Sequence, residues 1–140
     1  MLPSELEELI ERAAREEWEE LDLGSKEIKV LPAAISKCKS LKNLNLNGNQ
    51  ISKIPEEFAQ LKNLRMIHLG FNKLTKFPKE ILQLGNLQEL YLWINEITEI
   101  PDSIAQLTNL QSLHLGSTSL SIIPDSIAQL TNLQSLALHK

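Results

Sequence analysis

A spacing of 23 residues organises almost the whole of this 140-residue chain. Leucines recur at that spacing: Leu41, Leu64, Leu87, Leu110 and Leu133. Prolines recur at the same spacing, and each of them follows an aliphatic or aromatic residue: Pro32, Pro55, Pro78, Pro101 and Pro124. Self-similarity at such a period is typical of a solenoid, in which each copy buries its apolar face only against its neighbours. A solenoid offers an extended surface, so the period favours a binding function over an enzymatic one.

The apolar positions inside each period are fixed as well. One copy reads Leu41-x-x-Leu44-x-Leu46-x-x-Asn49-x-Ile51, and the following copies keep these slots. The pattern resembles the leucine-rich repeat family, with the consensus L-x-x-L-x-L-x-x-N-x-L, over about five and a half copies in residues 18–140. This resemblance implies an α/β solenoid, a horseshoe arc whose parallel strands line the concave face. It also implies a ladder of asparagines that bond backbone groups after each strand: Asn49, Asn72 and Asn95.

The residues themselves support short strands joined by an outer leg. Leucine and asparagine alternate over residues 44–47, so the leucines face one way and the asparagines the other. Such a strand is marginal alone but gains ladder hydrogen bonds beside its copies in a parallel sheet. The proline after Ile54 lacks a backbone donor and marks the return leg. The spacing of three between Phe58 and Leu61 then predicts a short helix or 3₁₀ segment.

The first 17 residues form a separate element. Ser4 followed three residues later by Glu7 has the form of a capping box. Apolar residues then recur at helical spacing: Leu6, Leu9, Ile10, Ala13 and Ala14. We predict an amphipathic helix over about residues 4–17 that covers the first repeat, because an uncovered layer exposes leucines to water. The passage 13–23 also looks like the entry into bacterial leucine-rich repeats, including the arms of Roco-type GTPases.

Composition argues against several classes of protein. No run of 18 apolar residues is present, so we expect no membrane span, and the glutamate-rich N-terminus lacks the apolar core of an export signal. The single cysteine, Cys38, stands in a leucine slot, which predicts a buried core thiol. Secreted members of the resembled family usually carry paired cysteines in their caps, so we expect a reducing, cytoplasmic location.

Charge is distributed unevenly along the chain. Residues 1–22 hold nine acids and two bases, whereas the whole chain has a net charge of −4. The lysines of the repeats fall mostly in turns and on the outer leg, away from the strands. Nucleic-acid binding favours a basic stripe interleaved with aromatics, so we expect no nucleic-acid partner.

Aromatic residues divide between the core and the concave face. Trp18, Phe58 and Phe77 occupy core slots, whereas the other aromatics, the three histidines and Met66 map to outward strand positions or to the rim. Exposed aromatic and methionine clusters mark recognition sites. We predict a protein- or peptide-binding site centred on Tyr91 and Trp93, with these residues: Met66, His68, Phe71, Glu89, Tyr91, Trp93, Ile94 and His114. The alternative is that the aromatics serve strand propensity and local packing.

Two further features refine this site. Gly70 and Gly116 flank Trp93 in its column, which predicts space for a partner on both sides. His68 and His114 are two strands apart, about 10 Å at a strand spacing of about 4.8 Å. Zinc-bound nitrogens each lie about 2 Å from the metal, so we expect no metal site here. No catalytic residue or cofactor is predicted either.

Two departures from the repeat pattern concern the C-terminal copies. Thr118 replaces the ladder asparagine and lacks its amide donor, which predicts a looser turn. The sequence stops one strand into a copy, which leaves four leucines at an open end: Leu130, Leu133, Leu136 and Leu138. An uncovered edge strand invites pairing, and a two-fold contact closes. Either the chain is a fragment of a longer protein or another copy covers this end, and of the two we predict a homodimer or another self-association through it.

The sequence thus favours a non-enzymatic interaction module that binds a protein or peptide on its concave face. A structural or engineered repeat scaffold without a ligand of its own is one alternative, favoured by the near-identity of the copies. The sensor arm of a larger signalling protein is another.

Overall fold

The computed structural model describes residues 1–116 and 120–138. This part of the chain begins with one α-helix and then alternates six strands with five 3₁₀ helices. The helix and strands are α1 (Pro3–Arg15), β1 (Glu20–Asp22), β2 (Asn43–Asn45), β3 (Met66–His68), β4 (Glu89–Tyr91), β5 (Ser112–His114) and β6 (Ser135–Ala137). The 3₁₀ helices are Ala33–Lys37, Glu56–Gln60, Lys79–Gln83, Asp102–Gln106 and Asp125–Gln129.

The strands form one parallel sheet in chain order, from β1 to β6. Every pairing joins residues that are one period apart, as in Leu44 with Ile67 and Leu90 with Leu113. The 3₁₀ helices lie between successive strands, as the spacing around Phe58 predicts. The predicted solenoid, with its parallel strands and short outer segments, is confirmed.

The core is a continuous stack of aliphatic layers. The central residues of β2 to β5 are fully buried: Leu44, Ile67, Leu90 and Leu113. Phe58 fills a 3₁₀ slot that is isoleucine in the other copies and is also fully buried, as predicted for an aromatic in a core slot. Cys38 is a buried free thiol, with its Sγ 3.5 Å from the Ile10 carbonyl oxygen. Burial raises the pKa of this thiol, which keeps it protonated. Cys38 is thus a core residue, as its leucine slot predicts.

Helix α1 covers the first repeat with the predicted apolar face, since Leu6, Ile10 and Ala13 are buried. Its start differs from the prediction: the N-cap is Leu2, and the Glu5 carboxylate accepts a hydrogen bond from the Leu2 N–H at 3.2 Å. The fixed φ of a proline suits the first helical position, so Pro3 starts the helix and Ser4 falls inside its first turn. The helix has 13 residues, and no helix in residues 1–116 or 120–138 is long and apolar enough to cross a membrane.

Buried asparagines tie successive turns together, as the family resemblance implies. The Asn72 Nδ2 donates to the carbonyls of Leu46 at 2.9 Å and Gly70 at 3.1 Å, and its Oδ1 accepts from the Ile51 N–H at 3.0 Å. Asn95 makes the equivalent bonds one copy later. The predicted looser turn at Thr118 lies outside the described residues.

A second, exposed asparagine ladder runs along the turns that precede the strands, and it was not identified from the sequence. Each of its side chains donates to a backbone carbonyl in the preceding copy: Asn63 to Lys39, Asn86 to Lys62, Asn109 to Gly85 and Asn132 to Thr108. The asparagine that recurs before the first leucine of the four copies from Leu64 onward was the available signal.

The last described repeat is less covered than the others. Leu136, at the centre of β6, is 43% exposed, whereas its counterpart Leu113 is fully buried. Leu133 and Leu138 are partly buried against the core. Leu130 is buried at 4% exposure, so it offers little contact surface.

The inner ladder should matter more for stability than the outer one. Asn72→Ala leaves several buried backbone groups without a partner, so we expect it to lower the free energy of unfolding by about 2–4 kcal/mol. Asn109→Ala, the matched control, removes one exposed bond and should cost less than about 1 kcal/mol. Urea denaturation of both variants measures the difference. Equal losses would contradict a special role for the inner ladder.

Candidate functional site

The concave face brings the predicted aromatic residues together in one cluster. Because side chains alternate along each strand, the leucines enter the core and the residues beside them face the other way. In-register pairing then aligns His68, Tyr91 and His114 across three strands. The His68 and Tyr91 rings stack with centroids 4.6 Å apart, and the His114 ring meets Tyr91 edge-on at 5.0 Å.

Trp93 extends this cluster beyond the end of β4. Its ring centroid lies 5.7 Å from that of Tyr91 and 5.8 Å from that of His114. The indole lies over Gly70, where an added Cβ would overlap its Cδ1 and Nε1 atoms. The sequence predicted open space on both sides of Trp93, and on the Gly70 side this is wrong, because the indole itself fills it. Trp93 nevertheless stays 37% exposed.

Polar contacts hold the aromatic cluster in place. The Tyr91 hydroxyl donates to the Glu89 carboxylate at 3.1 Å, and the His68 Nε2 lies 3.0 Å from the Met66 sulfur. Burial, together with the bond to Glu89, raises the pKa of Tyr91, so its hydroxyl keeps its proton at neutral pH. Burial lowers the pKa of His68, and the carboxylates of Glu89 and Asp22 oppose this effect. Burial therefore favours the neutral form of the His68 imidazole.

Phe71 and Ile94 form an exposed apolar rim beside Trp93. They are 54% and 43% exposed, and both adopt left-handed backbone conformations with φ of 55° and 54°. The fold imposes this conformation three residues past the strand end in each of four copies, since Ser25 and Gly48 have φ of 55° and 69° at the equivalent positions. The Phe71 N–H donates to the Trp93 carbonyl at 2.9 Å, which joins the two turns.

This conformation suits glycine and strains other residues, particularly β-branched ones. A large apolar residue at such a position contributes strain and, where exposed, little burial. The fold alone therefore gives no reason for phenylalanine and isoleucine at these two positions. Strained residues of this kind cluster at functional sites.

A shallow hollow adjoins the aromatic cluster over β1 to β3. It has a volume of about 190 Å³, and its lining includes Glu20, Asp22, Met66 and His68. The Asp22 Oδ1 accepts hydrogen bonds from the Gly24 N–H and the Asn45 Nδ2, both at 2.9 Å. Glu20 and Asp22 are not among the binding residues predicted from the sequence, although they share strand columns with Glu89 and Tyr91.

The chemistry of this face is that of a contact surface. No group of three histidine, cysteine or carboxylate side chains in the described residues is arranged to hold a metal ion. His68 and His114 are separated by the Tyr91 ring, which lies between them in the row. All eight predicted binding residues lie on or beside β3 to β5.

The strain at Ile94 is directly measurable. Ile94→Gly and Ile94→Ala remove nearly the same side chain, but only glycine relieves the left-handed backbone. We expect Ile94→Gly to be more stable than Ile94→Ala by about 1 kcal/mol in urea denaturation. At the nearby exposed Glu96, which has no positive φ, alanine should be at least as stable as glycine. The same order at both positions would contradict the strain.

Comparison with known proteins extends these observations. Two family models match the chain, a leucine-rich repeat region over residues 63–140 and a leucine rich repeat over residues 18–74. A search of curated proteins finds no match. The narrower likeness to Roco-type proteins stays a prediction.

Solved structures also resemble this chain. A leucine-rich repeat protein of Leptospira interrogans is 39% identical, with a TM-score of 0.73, over 87% of this chain and 38% of its own. The ectodomain of the Arabidopsis thaliana receptor kinase GASSHO1/SCHENGEN3, in complex with CASPARIAN STRIP INTEGRITY FACTOR 2, is 34% identical, with a TM-score of 0.76, over 86% of this chain and 16% of its own. The Arabidopsis HAESA ectodomain, in complex with an IDA peptide hormone ligand, is 29% identical, with a TM-score of 0.71, over 80% of this chain and 20% of its own. The chain thus spans well under half of these neighbours, and it belongs to the leucine-rich repeat family.

Proposed function

We propose that this chain is a non-enzymatic module that binds a protein or peptide on its concave face. Leucine-rich repeat domains are typical protein–protein interaction modules and are typically without catalytic activity. The two Arabidopsis neighbours are described with CASPARIAN STRIP INTEGRITY FACTOR 2 and with a peptide hormone. A cytoplasmic location is part of this proposal, and its support is that Cys38 is the single cysteine of the given sequence, so the sequence holds no cysteine pair.

One observation carries the proposal: exposed Phe71 and Ile94 occupy left-handed positions beside the exposed face of Trp93. Exposed aromatic and aliphatic groups that adjoin each other form the central contacts of interfaces. Here they stand in turns that backbone hydrogen bonds to the following copy hold in place, so little order is lost on binding. A structural or engineered scaffold would gain stability from glycine at both positions.

The position of Trp93 can be tested through Gly70. A random peptide library, selected against the wild-type chain, should yield peptides that bind it, measured by fluorescence anisotropy. Trp93→Ala should weaken their binding about tenfold or more, as expected for a central aromatic contact. Gly70→Ala should weaken it as well, because the new Cβ displaces the indole.

Gly85→Ala is the matched control, since an added Cβ there has no atom within 4 Å. It should bind the selected peptides like the wild type. Selected peptides that bind Trp93→Ala and Gly70→Ala at full strength would contradict the concave site.

We further propose self-association at the β6 end of the sheet. In the described residues β6 pairs only with β5, and Leu136 is exposed beside partly buried Leu133 and Leu138. The nearby Ile122 and Ile123 are 74% and 48% exposed. A second copy would cover this apolar surface through a two-fold contact. In a longer chain, a following repeat would cover it in the same way.

Light scattering over a concentration series tests the self-association. We expect a wild-type dimer that Leu136→Asp abolishes, because the charge disrupts the apolar contact. Val30→Asp, at an aliphatic residue 76% exposed at the opposite end, is the control and should stay dimeric. A wild-type monomer at every concentration would refute the dimer.

A further inference from the structure

We propose that the partner is a basic peptide segment, with a lysine or arginine side chain in the hollow beside Glu20 and Asp22 and an apolar side chain against Trp93. This inference rests on the proposed function, since it names the chemistry of the partner that the same face binds.

The charges on the concave face complement a basic partner. The concave positions of the six strands carry Glu20, Asp22 and Glu89, and no lysine or arginine. None of these three carboxylates takes part in an ion pair with a described residue. The ion pairs among the described residues join Arg12 to Glu16, Lys37 to Glu11, and Lys42 to Glu19. The concave strand positions therefore carry a net negative charge, which favours a cationic partner.

The hollow holds its carboxylates in fixed positions. The Asp22 Oδ1 is held by the Gly24 N–H and the Asn45 Nδ2, while the Glu20 Oε1 accepts from the Asn43 Nδ2 at 3.2 Å. No hydrogen bond from a described residue involves the second oxygen of either carboxylate. Two preoriented oxygens thus face solvent, and a guanidinium or ammonium group supplies the donors that they lack.

The hollow and the aromatic cluster form one continuous surface. Met66 and His68 line the hollow, and the His68 ring stacks on Tyr91. The carboxylates of Glu89 and Asp22, on strands at opposite sides of β3, both raise the pKa of His68 against the larger lowering by burial. A long basic side chain can therefore pack its methylene groups on Met66 while its charge lies beside Asp22.

The strand spacing sets the length of the partner segment. Three inter-strand steps separate β1 from β4, which is about 14 Å at about 4.8 Å per step. An extended peptide running across the strands covers that distance in about four residues. The proposal therefore specifies a basic residue about four positions from the apolar residue that contacts Trp93.

A random peptide library selected against the wild-type chain supplies the probes, which are then synthesised with each arginine or lysine replaced by citrulline or norleucine. The comparison variant combines Glu20→Gln with Asp22→Asn, which removes both charges and keeps the oxygen atoms that accept the internal bonds. The control combines Glu56→Gln with Asp102→Asn, at exposed carboxylates in the 3₁₀ helices. Circular dichroism checks that each variant is folded, and Glu20→Gln alone replaces the pair if the pair is unfolded.

We expect the selected peptides to carry a basic residue about four positions from an apolar one. Replacing that basic residue with its neutral analogue should weaken the binding of the peptide to the wild-type chain and to the Glu56–Asp102 control variant about five- to tenfold. The Glu20–Asp22 variant should bind the basic peptide and its neutral analogue with affinities that differ less than about twofold. Peptides that require Trp93 but show no preference for a basic residue would overturn this inference and leave the proposed function intact. Peptides that bind independently of Trp93 would overturn both.

Discussion

The in-register stacking of successive copies is the constraint on which the rest of the structure depends. Each three-residue strand forms its ladder only with the copies before and after it, and the central residues of β2 to β5 are fully buried between layers. Buried Asn72 and Asn95 fix the turns in the same register, because their amides bond carbonyls of their own copy and of the copy before. A shift by one residue would expose leucines and leave buried polar groups unpaired. The register therefore determines which side chains share a row.

That constraint has a consequence at the strand ends. The turns after β1 to β4 each take a left-handed residue at the same position, whatever residue the sequence supplies there. Gly48 fits this geometry, whereas Phe71 and Ile94 are strained by it. The apolar rim is thus carried by a backbone that the stacked core holds in place. Stability in the core allows a less stable arrangement on the surface, which is common where a surface serves recognition.

The two sides of the sheet differ in what they contribute. The leucine side supplies the cohesion of the fold, and the concave side is free to vary because it faces solvent. On that free side, acidic residues occupy β1 and aromatic residues occupy β3 to β5, and the structure joins them through Met66 and His68. The chain thus presents charge and apolar area at a separation fixed by strand spacing.

The sequence by itself determined the solenoid, the strand positions, the inner asparagine ladder and the membership of the concave columns. These follow from the 23-residue period, because stacked copies must align equivalent residues. Only the tertiary structure decided that the Trp93 indole lies over Gly70, that α1 starts at Pro3, and that Leu130 is buried while Leu136 is exposed. These features depend on rotamers, turn dihedrals and contacts with neighbouring copies, and a repeat pattern specifies columns of residues without specifying how their side chains pack.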